Sequence, residues 1–270
     1  MFALNYCKVL HGDTFLPRLP EYSRPQVLAH RMLATGFPEN TTLSLREAIK
    51  AGVDWVEFDV KLLTDGTIVS LHDGTVDRTT DGHGDITQMD YEQVRQLDAG
   101  KGYNFGFVPI PKVEDILAEL AACDRIVRAE MHIHNLWEPE PLIELLDKYG
   151  VRDRCYFNLN AMIMGIYMRE DLHDATSLLS LNAQGDSPEL QDLCNTYDLA
   201  YLCIPVQYLN DDYINRIHAF RKTNPVFVQC YPVSDEPGWL RMIDMGVDVI
   251  QTDFPEALIE YLDDNASEFS

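Results

Sequence analysis

Cationic residues are scarce in this chain. Its 270 residues include 21 Lys and Arg against 44 Asp and Glu, a formal net charge of −23 at neutral pH. Nucleic acids and anionic membrane surfaces are bound through a basic face, so the charge balance argues against them, and neither is expected as a partner. Long apolar runs are missing too. The stretch from Ile116 to Cys123 is interrupted by charge and falls well short of the about 20 residues that cross a bilayer, so no membrane insertion is expected. Cysteine is sparse and scattered: Cys7, Cys123, Cys155, Cys194, Cys203 and Cys230 show no CxxC spacing. That argues against a disulfide framework or a zinc site, and for buried thiols in a reducing compartment. Met1 to Cys7 lacks a basic stretch leading into an apolar run, so the expected location is cytoplasmic. No Gly/Ser linker, low-complexity tract or charge block divides the sequence, and a single domain over residues 1–270 is expected.

What is present is an alternation of short β-rich runs with segments of helical period. The strands are expected at Val27–Ala29, Trp55–Leu62, Arg125–His134, Arg154–Asn158, Ser177–Leu181, Tyr201–Ile204, Val226–Cys230 and Val247–Thr252. Helices are expected at Thr41–Ala51, Val113–Ala122, Pro139–Tyr149, Ala161–Asp171, Pro188–Asp198, Asp211–Arg221 and Asp235–Met245, with a last one after Phe254. Eight strand–helix units over this length give a TIM (β/α)8 barrel, with a doubly wound open sheet as the competing arrangement. One stretch, 63–111, breaks the alternation after the second strand. It carries a turn at Asp65-Gly66, a Gly-rich loop at 81–85 and a short helix near Asp90–Leu97. An insertion there sits at a barrel mouth, where such folds keep their chemistry.

Three constellations carry chemistry. In Val56-Glu57-Phe58-Asp59-Val60, Glu57 and Asp59 project to one side of a strand whose other side is apolar. Two carboxylates on the inner face of a core strand repel and lose hydration, which is unfavourable without a cation or protons. In Arg128-Ala129-Glu130-Met131-His132-Ile133-His134, Glu130, His132 and His134 share a face, so Glu130 can close an oxygen-rich site with Glu57 and Asp59. All-oxygen ligands suit Mg2+ or Ca2+, whereas His132, if it added a nitrogen ligand, would favour a transition metal. Finally, His30 and His72 each end a hydrophobic run and so lie at the rim. Two imidazoles beside a metal-bound phosphate suit acid–base cleavage of a P–O bond, and Arg31 offers planar donors to a phosphate oxygen.

These residues lie in a series of motifs. His30-Arg31-Met32 with Pro38-Glu39-Asn40-Thr41 resembles HRG…PENT, and Ala51-Gly52-Val53-Asp54-Trp55-Val56-Glu57-Phe58-Asp59-Val60 resembles GAD-x-(I/V)-E-x-D-V. Thr64-Asp65-Gly66, His72-Asp73 and Arg78-Thr79-Thr80-Asp81-Gly82-His83-Gly84 follow the pattern TxDG…HD…RTTxGxG. Leu97-Asp98-Ala99-Gly100, Ile110-Pro111 and Gly246-Val247-Asp248…Thr252-Asp253-Phe254-Pro255 complete it. Taken in order, the motifs resemble the glycerophosphodiester phosphodiesterase family, densely over residues 27–134 and again over 246–257.

The resemblance implies that Glu57, Asp59 and Glu130 hold a divalent cation, Mg2+ or Ca2+. It implies acid–base roles for His30 and His72, with Arg31 and His132 on the phosphate and Glu39 supporting the site. The implied substrate is a small-molecule phosphodiester, split to an alcohol and glycerol 3-phosphate, with a cyclic phosphate between when a neighbouring hydroxyl attacks first. The chain departs from the motifs at Met32 for glycine, His132 for lysine and Gln229 in place of tryptophan. Met32 is expected to set a bulky side chain where bare backbone passes the phosphate. Two other readings compete: a sphingomyelinase D-type phospholipase, and a barrel that binds a phosphorylated ligand without turning it over. The missing secretory signal and the scattered cysteines count against the first, the intact His and carboxylate set against the second.

Overall fold

In the computed structural model, residues 24–135, 138–185, 187, 189–221 and 226–269 are described. Cys7 and the rest of residues 1–23 lie outside that set. Eight parallel strands close into a barrel: β1 (Gln26–Ala29), β2 (Trp55–Leu62), β4 (Arg128–Ile133), β5 (Cys155–Leu159), β6 (Leu178–Asn182), β7 (Leu199–Pro205), β8 (Phe227–Tyr231) and β9 (Val249–Thr252). The ring shuts because β1 pairs with both β2 and β9. The fold is a (β/α)8 barrel, and the open-sheet alternative is discarded.

Strand alternation explains why the ring closes around these side chains. Outward positions are aliphatic or aromatic, such as Val56, Phe58, Val60, Ala129, Met131, Phe157 and Ile250. They form one continuous core with the surrounding helices. The helices are α1 (Thr42–Ala51), α3 (Val113–Ala122), α4 (Glu140–Tyr149), α5 (Met162–Ile166), α6 (Leu190–Tyr197), α7 (Asp211–Arg221), α8 (Glu236–Asp244) and α9 (Pro255–Asp264); α2 (Tyr91–Val94) lies apart from them. Thr41 caps α1, accepting from Ser44 N, and Gly52 ends it at φ +93°, a left-handed position that glycine takes without strain.

Inward positions form three tiers. At the N-terminal end Leu28, Trp55, Tyr156, Leu178, Tyr201, Phe227 and Val249 make a separate apolar cluster. One step along each strand the residues turn polar: Glu57, Glu130, Asn158, Ser180, Gln229 and Gln251 are all buried. Beyond them, at the C-terminal mouth, stand His30, Asp59, His132, Asn182 and Tyr231, with Asp253 against His30.

Several expected boundaries shift. The third barrel strand, β4, begins at Arg128 rather than Arg125, because Arg125 turns away to donate to Ile49 O and Ile126 is exposed. The helix expected over Ala161–Asp171 is α-helical only to Ile166 and continues as a π turn over Tyr167–Asp171. That turn carries the buried Arg169 toward the carbonyls of Asp174, Tyr197 and Ser177. The short helix near Asp90–Leu97 is α2, which stops at Val94.

After β2 the chain leaves the barrel. It turns at Asp65-Gly66 into β3 (Ile68–Ser70), antiparallel to the end of β2, and passes through α2 before returning at Ile110. Leu63, Val69, Leu71, Val76, Ile86, Val94, Ala99 and Ile110 give this segment its own small core. The described cysteines are all free: Cys155, Cys194, Cys203 and Cys230 are buried and Cys123 partly so. Among the described residues no helix is long and apolar enough to cross a membrane.

Candidate active site

The register of β2 against β4 sets the acidic residues side by side. Glu57 lies opposite Glu130, and Asp59 opposite His132. All three carboxylates are buried, Glu57 at 3% exposure, Asp59 at 0% and Glu130 at 1%. Each is held differently. Glu57 Oε2 accepts from the Arg31 backbone N–H at 2.8 Å. Asp59 is gripped by Asn40, whose Nδ2 donates to Asp59 Oδ2 at 2.8 Å while Asp59 N donates back to Asn40 Oδ1 at 3.0 Å. Glu130 accepts from the side-chain amides of Asn158 and Gln229, one on each oxygen.

Burial and the neighbouring Asp59 push the Glu57 carboxyl well up, so in the bare site it favours a proton. Burial also raises Glu130, against the hydrogen bond from Gln229. Asp59 goes the other way. Its burial is outweighed by the hydrogen bond to His134 and by the charges of His132 and His72, which hold its carboxyl at about 2. His134 Nε2 stands 2.6 Å from Asp59 Oδ1.

His30, Arg31, Glu57, Asp59, His72, Glu130 and His132 all line one cavity of about 240 Å³ at the barrel mouth. Glu39 is not on its wall but behind Arg31, accepting from Arg31 Nη1 at 3.0 Å. Both rim histidines are anchored by the same ring nitrogen. His30 Nδ1 is 2.7 Å from Asp253 Oδ1, and His72 Nδ1 is 2.7 Å from Asp73 Oδ1. The His30 contact draws the Asp253 carboxyl down. Asp73 is lowered further, chiefly by Arg78, which donates to both its oxygens.

Arg78 also donates twice to Glu39, so His72, Asp73, Arg78, Glu39 and Arg31 form one chain of charge from the inserted segment to the barrel rim. Sequence reasoning gave no role to Asn40, Asp73, Arg78 or Asp253. The motif His72-Asp73 and the offset of five residues to Arg78 were a visible signal for two of them.

The expectation for Met32 is corrected. It sits at φ +73°, next to Arg31 at φ +49°, two left-handed residues in a row that glycine would adopt more easily. Its side chain is fully buried in the outer core, with Ser44 Oγ 3.8 Å from its sulfur, rather than lying over the phosphate site. The turn therefore points the methionine away from the cavity.

The donor chemistry of this mouth fits a divalent cation. Glu57 and Asp59 are adjacent, buried and unequal in charge preference, and the buried Asn158 Oδ1 has no hydrogen-bond partner among the described residues. One ligand atom each from Glu57, Asp59 and His132 lie within 4.8 Å of one another, and the same holds for Asp59, His72 and His134. Glu130 belongs to neither group; one amide donates to each of its oxygens, which leaves each a further lone pair.

Comparison with known proteins bears on what this mouth serves. A phosphodiesterase from Oleispira antarctica, solved with the product sn-glycerol-3-phosphate, superposes with a TM-score of 0.75 at 23% identity, covering 89% of this chain and 97% of that one. A glycerophosphodiester phosphodiesterase from Parabacteroides distasonis superposes with a TM-score of 0.73 at 22% identity, covering 90% and 98%. At these identities the likeness is one of fold. In sequence, the model of the glycerophosphoryl diester phosphodiesterase family matches residues 30–155. A glycerophosphodiester phosphodiesterase from Caldanaerobacter subterraneus subsp. tengcongensis is 30% identical over 243 residues, 86% of this chain and 96% of the relative. With nearly the whole of that relative covered, the chain belongs to the glycerophosphodiester phosphodiesterase family.

Proposed function

We propose that this protein hydrolyses a glycerophosphodiester to an alcohol and glycerol 3-phosphate. The observation that carries the reading is the pairing at the mouth. Two histidines, each fixed through Nδ1 to a carboxylate, face one cavity with Arg31 and three buried acidic side chains. Anchoring at Nδ1 leaves each Nε2 as the nitrogen for substrate, one to accept a proton from the attacking hydroxyl and one to protonate the leaving alkoxide. Arg31 Nε is buried and lacks a hydrogen-bond partner among the described residues, which supports a place for it on a phosphate oxygen. Relatives bearing the family's name, and the glycerol 3-phosphate held by the Oleispira enzyme, support the substrate class.

In this reading a glycerol hydroxyl next to the ester attacks phosphorus, the P–O bond to the alcohol breaks, and water then opens the cyclic phosphate to glycerol 3-phosphate. Glu57, Asp59 and Glu130 would hold a divalent cation, Mg2+ or Ca2+ on the three carboxylates alone. When bound, such an ion polarises the phosphoryl group. Asn40 keeps Asp59 oriented, and the Arg78 chain keeps His72 and Arg31 in place. We take residues 1–270 as one barrel with 63–111 inserted at its mouth, a division supported by His72 reaching the cavity from that segment. The free described cysteines support a reducing compartment, the cytoplasm.

Assaying glycerophosphocholine, glycerophosphoethanolamine and lysophosphatidylcholine with each cation, and identifying both products, tests the reading. Glycerol 3-phosphate from the deacylated diesters is the expected result. Choline release from the lysolipid alone would point to a phospholipase D-type substrate, and no release from any of them to a binding barrel.

A further inference from the structure

Four polar side chains run across the mouth from β8 back to β4, ending at His132, and the first three have no part in the roles described so far. Tyr231 OH donates to Asn182 Oδ1 at 2.8 Å. Asn182 Nδ2 reaches Asn160 Oδ1 at 3.3 Å, and His132 Nε2 is 3.1 Å from the same oxygen. An amide oxygen can only accept, so His132 donates from Nε2. In the neutral ring the proton therefore sits on the side away from the acidic residues, and Nδ1 turns a lone pair toward them.

That nitrogen is 3.8 Å from Asp59 Oδ1, too far for a hydrogen bond. The gap suits something else. Two donors each about 2.1 Å from one ion stand about 3–4 Å apart. A histidine that ligates through one ring nitrogen characteristically donates the other to an oxygen acceptor that fixes its tautomer, which is the part Asn160 plays here. His134, the competing imidazole, spends its Nε2 on a 2.6 Å hydrogen bond with Asp59 Oδ1.

We infer that His132 ligates the cation through Nδ1 beside Glu57 and Asp59, and that Asn160, held by Asn182 and Tyr231, is the positioning residue that presents it. The inference rests on the cation site proposed above and deepens it. An imidazole among carboxylates makes the site a mixed nitrogen–oxygen one, which raises affinity for Mn2+, and further for Co2+ or Zn2+, relative to Mg2+ and Ca2+.

The test loads the full chain with Mn2+ and reads the ion directly by pulsed electron paramagnetic resonance, independent of turnover. Coupling to a directly bound imidazole nitrogen is expected in the wild type and in His134→Gln. It should be absent from His132→Gln, either with Mn2+ still bound or with Mn2+ lost altogether. Asn160→Leu should weaken Mn2+ binding about 10–100-fold, the usual cost of losing such a support, while Asn160→Asp, which keeps an oxygen acceptor, restores it. Bound Mn2+ without nitrogen coupling in the wild type, or coupling that survives His132→Gln and disappears in His134→Gln, overturns the assignment while leaving the cation site standing. A wild type that binds no Mn2+ and no other divalent cation overturns the cation site itself.

Discussion

The two ends of the barrel are built from the same eight strands and share almost no chemistry. On β2, Trp55, Glu57 and Asp59 are successive inward positions, yet the first belongs to an aromatic floor and the third to the catalytic mouth. At the floor Trp55 packs on Tyr156 and Tyr201 with ring centroids 4.8 and 4.9 Å apart, and Tyr201 on Phe227 at 5.4 Å. These contacts bury large apolar rings in favourable tilted and edge arrangements and stabilise closure of the ring. The mouth gathers like charges and partly satisfied polar groups, which destabilise an empty site. The difference teaches that one end holds the fold so that the other can afford unfavourable electrostatics.

That contrast can be broken by mutation. The largest effects belong to the mouth. His30→Ala and His72→Ala should each lower kcat about 10²–10⁴-fold, with Tm within a few degrees of the wild type. A loss below tenfold for either removes it from the proton-transfer pair. At the floor the pattern reverses. Trp55→Ala should cost about 3–5 kcal/mol of stability by denaturant unfolding, with kcat of the folded fraction nearly unchanged. Equal losses of rate and stability in both sets would erase the distinction.

Smaller effects sharpen it. Asp174, just before β6 and so at the floor end, pairs with Arg152 at 2.9 Å. Burial opposes its ionisation, but hydrogen bonds from Ser177 and Thr176 together with Arg152 hold its carboxyl at about 2. Its folded value lies below its unfolded one, so the stability it contributes is present above about pH 4 and lost as pH falls through about 2. Asp174→Asn should flatten that acid limb by about 2 kcal/mol in denaturant titrations across pH. The mouth should respond in the opposite sense. Glu57→Gln removes a carboxyl that burial beside Asp59 obliges to take up a proton on folding, so in EDTA at neutral pH its Tm should rise, by about 2–4 °C if that cost is about 1 kcal/mol, while activity disappears. An unchanged or lower Tm would mean Glu57 is not strained in the bare site.

Much of this was legible in the sequence, for a physical reason. Period-two alternation in Val56-Glu57-Phe58-Asp59-Val60 and in 128–134 fixes which side chains turn inward, and the strand–helix repeat fixes what they turn into. Partners that meet only on closure were not legible. Asp253 lies 223 residues from His30 and Gln229 lies 99 from Glu130, so no local pattern joins them. Nor does a lone tyrosine on each of β5 and β7 announce an aromatic floor. Met32 shows the remaining limit: its identity signals a departure from glycine, but only the backbone at φ +73° shows that the side chain swings into the outer core.

Division of labour between the two histidines is the central claim, and leaving-group dependence tests it most directly. Turnover of a glycerophosphodiester with an alkyl alcohol is compared with that of the p-nitrophenyl analogue, whose leaving group needs no proton. In one of His30→Ala and His72→Ala, the alkyl substrate should lose far more activity than the p-nitrophenyl one; in the other, both should fall alike. If neither substitution separates the two substrates, the paired acid and base do not exist as described.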